Sequence, residues 1–263
     1  GATTSANEPG ARTDGASSLP GPATGLNPAT SSTLAASVAR TNRWVPARVT
    51  AWFWMDDVVE HLKALAATGE EGARAAVLDV SNLPAVAAFF RAEEPFHVLV
   101  NNAGTNRPKP MWEVSEADYD AVLGLNLKAA FFVAQACARR MIDTQIKGSL
   151  IHMGSQMGHV GGPGRSLYCA SKWALEGMNK AFALDLAAHG IRSNTVAPTF
   201  IETPLTAPMF EDAAFKASVL DKIKLGRIGK PEDLMGAVLF LAGDASAMMT
   251  GTSLIVDGGW TAD

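Results

Sequence analysis

The chain has 263 residues, 48% of them hydrophobic, and a formal net charge of −4, which suits one α/β domain with a sizeable core. The slight acidity, with its lysines and arginines scattered, gives no electrostatic case for nucleic acid or an anionic membrane as partner, and a small molecule is the expected ligand. Two cysteines, Cys137 and Cys169, make neither a disulfide framework nor a metal-ligand set, so a cytoplasmic location is expected, and no apolar stretch reads as long enough to span a bilayer.

Residues 1–43 are rich in Ala, Ser, Thr, Gly and Pro. They read as an atypical low-complexity extension, with an organelle transit peptide as the alternative, and the folded domain is expected over residues 44–263. The pattern predicts a helix over residues 32–40, a strand over 47–54, an amphipathic helix over 58–67, a buried strand over 73–80 and a helix over 84–92. The compact strand Phe96-His97-Val98-Leu99-Val100 runs directly into Asn101-Asn102-Ala103-Gly104, by itself an ordinary turn sequence. A long helix follows over residues 116–141, with Asn126 inside it despite poor helix propensity. Residues 148–155 form a short buried strand that leaves Ser155 at its carboxyl end.

Ser166-Leu167-Tyr168-Cys169-Ala170-Ser171-Lys172 opens the next helix, which continues to residue 188. Tyr168 and Lys172 then lie one turn apart on one face. A phenol is a poor acid or base at neutral pH, but an ammonium beside it favours the phenolate, and such a pair can move a proton to or from an alcohol oxygen. A tyrosine packed at a helix start with a solvated lysine explains the same spacing. Gly190 stops the helix, residues 190–198 supply another strand, Pro231-Glu232-Asp233 opens a helix as its dipole prefers, and residues 253–256 form the last strand. Strands alternating with helices imply a Rossmann-like, doubly wound parallel sheet covered on both faces.

Asn101-Asn102-Ala103-Gly104, Asn126, Ser155, Tyr168 and Lys172, in that order, make residues 77–263 resemble the short-chain dehydrogenase/reductase family. The resemblance implies reversible hydride transfer between NAD or NADP and a secondary alcohol. In it Tyr168 is the acid/base, Lys172 supports the phenolate and holds the nicotinamide ribose, Ser155 binds the reacting oxygen and Asn126 holds a relay water. It further implies that Asp79 and Val80 flank the adenine, that Asn101, Ala103 and Gly104 line the cofactor's path, and that Pro198, Ile201 and Thr203 lie at the nicotinamide carboxamide. A mobile lid over residues 205–225 and a homotetramer belong to the same expectation. Thr203 also reads as a helix cap. Gln156, His159 and Arg165, on the loop before Tyr168, read as ligands for a polyol, sugar or oxoacid, with His159 and Arg165 alternatively loop surface groups. A 3-oxoacyl-thioester reductase and a non-enzymatic dehydrogenase-like scaffold are the alternatives.

The amino-terminal part departs from the family. A dinucleotide-binding half begins with an apolar strand and a glycine-rich turn that delivers pyrophosphate to a helix N-terminus. Here the matching stretch is Thr24-Gly25-Leu26-Asn27-Pro28-Ala29-Thr30-Ser31, with Ala29 and Ser31 in place of the later two glycines. Trp52, Phe53 and Trp54 end the second strand, ahead of Asp56 and Asp57, so no residue there chooses between NAD and NADP. A diverged cofactor loop, a lost one, and a reading-frame change between two compensating shifts all account for this segment.

Overall fold

The computed structural model describes residues 34–39, 48–53, 73–204 and 206–262. The turn expected at residues 24–31, the helix expected over 58–67 and the pair Asp56 and Asp57 lie outside them. Among the described residues, seven strands form one sheet: β1 (Leu34–Ala39), β2 (Arg48–Phe53), β3 (Ala73–Val77), β4 (Val98–Asn101), β5 (Ser149–Met153), β6 (Arg192–Pro198) and β7 (Ser253–Val256). Their order is β3-β1-β2-β4-β5-β6-β7. From β2 to β7 the neighbours pair in parallel, as expected of a doubly wound sheet.

The helix expected over residues 32–40 is instead strand β1, antiparallel to both β2 and β3. An isolated helix this short is marginal, whereas a ladder on each side satisfies the backbone amides and carbonyls of Leu34–Ala39. In consequence β2 is the strand beside β4. The chain goes to one side of β2 for β3 and to the other for β4, so the crevice where the strand order reverses lies between β2 and β4.

Among the described residues, six helices flank the sheet: α1 (Leu83–Ala92), α2 (Glu116–Leu123), α3 (Ala130–Asp143), α4 (Ser166–Leu186), α5 (Ala213–Lys222) and α6 (Pro231–Ala242). Their ends follow side-chain chemistry. Asn82 accepts from the Ala85 N–H at the start of α1, Ser115 and Asp118 form a capping box on α2, and Asp212 caps α5. Past α4, one 3-10 turn reaches Gly190 at φ 68°, the left-handed stop expected of that glycine. Residues 207–222, within the expected lid, hold a 3-10 turn and α5.

Alternation along β4 and β5 feeds two cores. Leu99 and Leu150 join Phe90 of α1, Phe96, and Val133, Cys137 and Met141 of α3. Val98, Val100 and Ile151 join Val196 of β6 and Leu241 of α6. Contrary to the sequence expectation, Glu116–Asp143 is long and apolar enough to cross a membrane by length and composition. Its apolar residues have a packing reason: Val122, Ala129, Ala130, Val133, Ala134, Cys137 and Met141 are buried in the domain. The parallel strands bring the carboxyl ends of β4, β5 and β6, at Asn101, Met153 and Pro198, to one edge of the sheet, where ligands bind in such folds.

Candidate active site

Two residues past β5, Ser155 caps a 3-10 turn, Gln156–Gly158. Its Oγ accepts from the Met157 N–H at 3.1 Å and donates to Gln156 Oε1 at 2.8 Å. The turn seats tightly against α4. A Cβ on Gly154 would lie 2.7 Å from Glu176 Oε1, and one on Gly158 would lie 3.1 Å from the Lys172 carbonyl oxygen. Glycine at both places therefore sets how closely Ser155 approaches the helix that carries Tyr168 and Lys172.

Lys172 is buried. Its Nζ donates to the Met153 carbonyl at 2.7 Å and stands 5.6 Å from the centre of the Tyr168 ring. A lysine anchored on β5 against the tyrosine one turn earlier is not the solvated lysine of the bland reading. An ammonium has three donors, so two remain after Met153. The Tyr168 phenol has no hydrogen-bond partner among the described residues, which leaves it for a ligand.

Asn126 lies in a π-helical turn, Gly124–Ala129, between α2 and α3, a local widening that helices adopt at functional sites. Its Oδ1 accepts from the Thr105 N–H at 2.7 Å. Its Nδ2 donates to the Thr105 carbonyl at 2.9 Å and to Ser171 Oγ at 3.0 Å, and Ser171 Oγ donates on to the Tyr168 carbonyl at 2.8 Å. One buried amide thus joins the loop after β4 to the first turn of α4. The fit is close: a Cβ on Gly104 would meet Asn126 Oδ1 at 3.3 Å.

The remaining predicted positions divide. Asn101 is buried, and its Nδ2 donates to the Ala130 carbonyl at 2.7 Å, so its side chain fastens β4 to α3. Ala103 and Val80 pack in the core, while the exposed Asp79 accepts from Ser81 Oγ at 2.6 Å. Pro198 closes β6, and Ile201 makes a parallel bridge to Gly229. Thr203 and Thr206 bond reciprocally ahead of the 3-10 turn Ala207–Glu211, close to the expected cap. Thr199 is buried with no partner for its Oγ1 among the described residues, in a cavity also lined by Ile201, Arg227 and Asp233. The nicotinamide end implied by the resemblance fits this donor set, because Lys172 keeps two free donors and Gly104 presents no side chain. The pyrophosphate end falls on residues outside the described ones.

Sequence reasoning missed two buried groups. Glu176 follows Lys172 by one turn, and that spacing was its only signal. Its carboxylate accepts from Thr195 Oγ1 at 2.9 Å and Ser253 Oγ at 3.4 Å, with His159 Nε2 at 3.6 Å. Burial raises its pKa, against those hydrogen bonds and the His159 charge. The second group, His152, is fully buried on β5. Ser193 Oγ donates to Asn179 Oδ1 at 2.8 Å, so it accepts from His152 Nε2 at 3.3 Å, while the Asn101 amide donates to Nδ1 at 3.4 Å. These roles assign the neutral tautomer protonated at Nε2.

Burial first, and then the Lys172 charge, push His152 from 6.5 down to about 4. The unfolded chain takes up this proton first, so the contribution is complete above about 6.5 and lost as pH falls towards about 4, roughly 3 kcal/mol in all. Glu176 has the opposite sign and gains stability as pH falls. His152→Gln is expected to flatten the loss of stability between pH 6.5 and 4.5 in urea unfolding, and an unchanged slope would refute the assignment.

The family model described as Enoyl-(Acyl carrier protein) reductase matches residues 28–261. The chain is 45% identical to 3-oxoacyl-(acyl-carrier-protein) reductase FabG of Thermotoga maritima over 62% of this chain and 65% of that protein. It is 37% identical to gluconate 5-dehydrogenase of Gluconobacter oxydans over 73% of this chain and 77% of that one. The solved gluconate 5-dehydrogenase of Burkholderia cenocepacia, in complex with NADP and tartrate, is 35% identical over 71% of this chain and 74% of its own, with a TM-score of 0.69. In each case a minority of the relative's length stays unmatched. With the Tyr168 and Lys172 pair beside Ser155, and Asn126 tied to the same helix, these matches show that the chain belongs to the short-chain dehydrogenase/reductase family.

Proposed function

We propose that this protein is an NAD(P)-dependent oxidoreductase interconverting a secondary alcohol and a ketone on a polyol, sugar or oxoacid. The observation that carries the reading is the buried Lys172 ammonium, 5.6 Å from the Tyr168 ring centre and bonded to Met153. A bound nicotinamide supplies the hydride acceptor for oxidation and the donor for reduction. Tyr168 takes the proton of the substrate hydroxyl or returns it, with the Lys172 charge beside the phenolate. Ser155 turns its O–H from Gln156 Oε1 to the reacting oxygen and stabilises the charge that develops there. The Asn126 side chain is spent on Thr105 and Ser171, so its main-chain carbonyl is the group assigned to the relay water.

For the cofactor, Tyr168 and Lys172 take the nicotinamide ribose, Pro198, Ile201 and Thr203 the carboxamide, Asn101, Ala103 and Gly104 the path between, and Asp79 and Val80 the adenine. All these residues lie within the proposed domain, 44–263. Trp173 and Leu184 on α4, 53% and 81% exposed, and Met235, Leu239 and Ile255 on α6 and β7 form apolar outer faces that support a homo-oligomer, a tetramer by family analogy. The free thiols of Cys137 and Cys169 support a cytoplasmic setting. The test is the appearance of reduced nicotinamide when NAD or NADP is mixed with secondary polyols and hydroxy acids. Turnover of none of them would remove the reading. The similarity to FabG favours a second reading, reduction of a 3-oxoacyl thioester by the same residues, and a thioester in the reductive assay separates the two.

A further inference from the structure

Arg165 is 8% exposed, yet among the described residues its guanidinium makes no hydrogen bond and no ion pair. It holds the N-cap position of α4 without capping it, three residues before Tyr168 and so on the same helix face. Its stem lies over Gly162, where a Cβ would meet Arg165 Cγ at 3.3 Å and Met157 Cε at 3.0 Å. The arginine therefore rests against the turn that Ser155 begins. Burial lowers its pKa, and ionised Tyr168 or Cys169 would act in the other direction, which places all three groups in one electrostatic neighbourhood.

The nearby carboxylates are already engaged. Asp118 pairs with Lys109 at 2.6 Å and Arg107 at 3.2 Å, and Glu176 is held by Thr195 and Ser253. The loop of Lys109 touches that of Arg165 through the Lys109 N–H on the Gly164 carbonyl, 3.0 Å, so Lys109 and Arg107 share the single carboxylate of Asp118 and no described carboxylate pairs with Arg165. The stem is packed, but no guanidinium nitrogen is a buried atom without a partner, so the cation meets solvent with no counter-ion among the described residues, and its planar fork matches a carboxylate bidentately.

Resting on the dehydrogenase reading of the same site, we propose that Arg165 receives a carboxylate of the substrate, remote from the reacting carbinol. The substrate class is then hydroxy and oxo acids, in preference to neutral polyols and acyl thioesters. Gluconate and sorbitol make a matched pair of probes, one ending in a carboxylate where the other has a hydroxymethyl group. Calorimetric titration of each into the enzyme with saturating oxidised cofactor, together with kcat/KM for each, reads the preference. Wild type is expected to favour gluconate, and Arg165→Gln to lower the gluconate-to-sorbitol ratio by about a hundredfold, the loss typical of a broken buried ion pair, with Arg165→Lys intermediate. Equal affinity of wild type for the two probes, or an unchanged ratio in a folded Arg165→Gln protein, overturns the proposal. Neutral alcohols turned over without that preference would leave the dehydrogenase reading standing alone. Arg165-dependent gluconate binding with no hydride transfer to any alcohol would leave the receptor standing and sink that reading.

Discussion

Tyr168→Phe is expected to lower kcat by about a hundred- to ten-thousand-fold, the range contributed by a positioned acid/base, while circular dichroism and the melting temperature stay close to wild type. The phenol hydroxyl makes no hydrogen bond within the described protein, so its loss removes no structural partner. The ring that remains still packs over Lys172, whose Nζ keeps its bond to the Met153 carbonyl. Cofactor affinity should fall only modestly, because Lys172 keeps its hold on the nicotinamide ribose when the Tyr168 hydroxyl is lost, and the main loss falls on the proton in flight. Turnover within a fewfold of wild type would mean that another group moves the proton.

Asn126→Ala is expected to cost about 3 kcal/mol in urea unfolding, since it strips partners from the part-buried Thr105 amide and carbonyl and from the buried Ser171 Oγ. Activity should fall with it, because Ser171 bonds to the carbonyl of Tyr168 itself, and the loop after β4 loses its tie to α4. Asn126→Asp separates the two contributions. It keeps an acceptor for the Thr105 N–H but loses both donors, so it should recover only part of the stability. A loss below about 1 kcal/mol for Asn126→Ala would show that water or a neighbouring chain replaces the amide.

Most of this site was legible because its residues sit where strands end and helices begin. Ser155 follows β5, Asn101 ends β4, and Tyr168 and Lys172 share a helix face, relations that local pattern fixes. What local pattern could not carry was partnership over distance. Leu34–Ala39 has the composition of a short helix, but β2 and β3 pair with it on both sides. The π turn around Asn126 depends on Thr105 and Ser171, which lie 21 and 45 residues away. Arg165 stood open between ligand and surface group, and burial against Met157 and Gly162 decides against the surface. Glu176 passed unnoticed because its partners come from β6, β7 and the loop of His159.

The amino-terminal departure has a structural counterpart. The strand beside β4 at the reversal of the sheet is β2, which ends at Phe53, and the sequence that follows, Trp54-Met55-Asp56-Asp57, holds no glycine, so cofactor binding is the central claim. Fluorescence titration of the purified protein with NADH and with NADPH tests it directly. Saturable binding of one of them, displaced by its oxidised form, is the predicted result and also names the cofactor. A folded protein that binds neither would contradict the account and favour a dehydrogenase-like scaffold or an altered amino-terminal sequence.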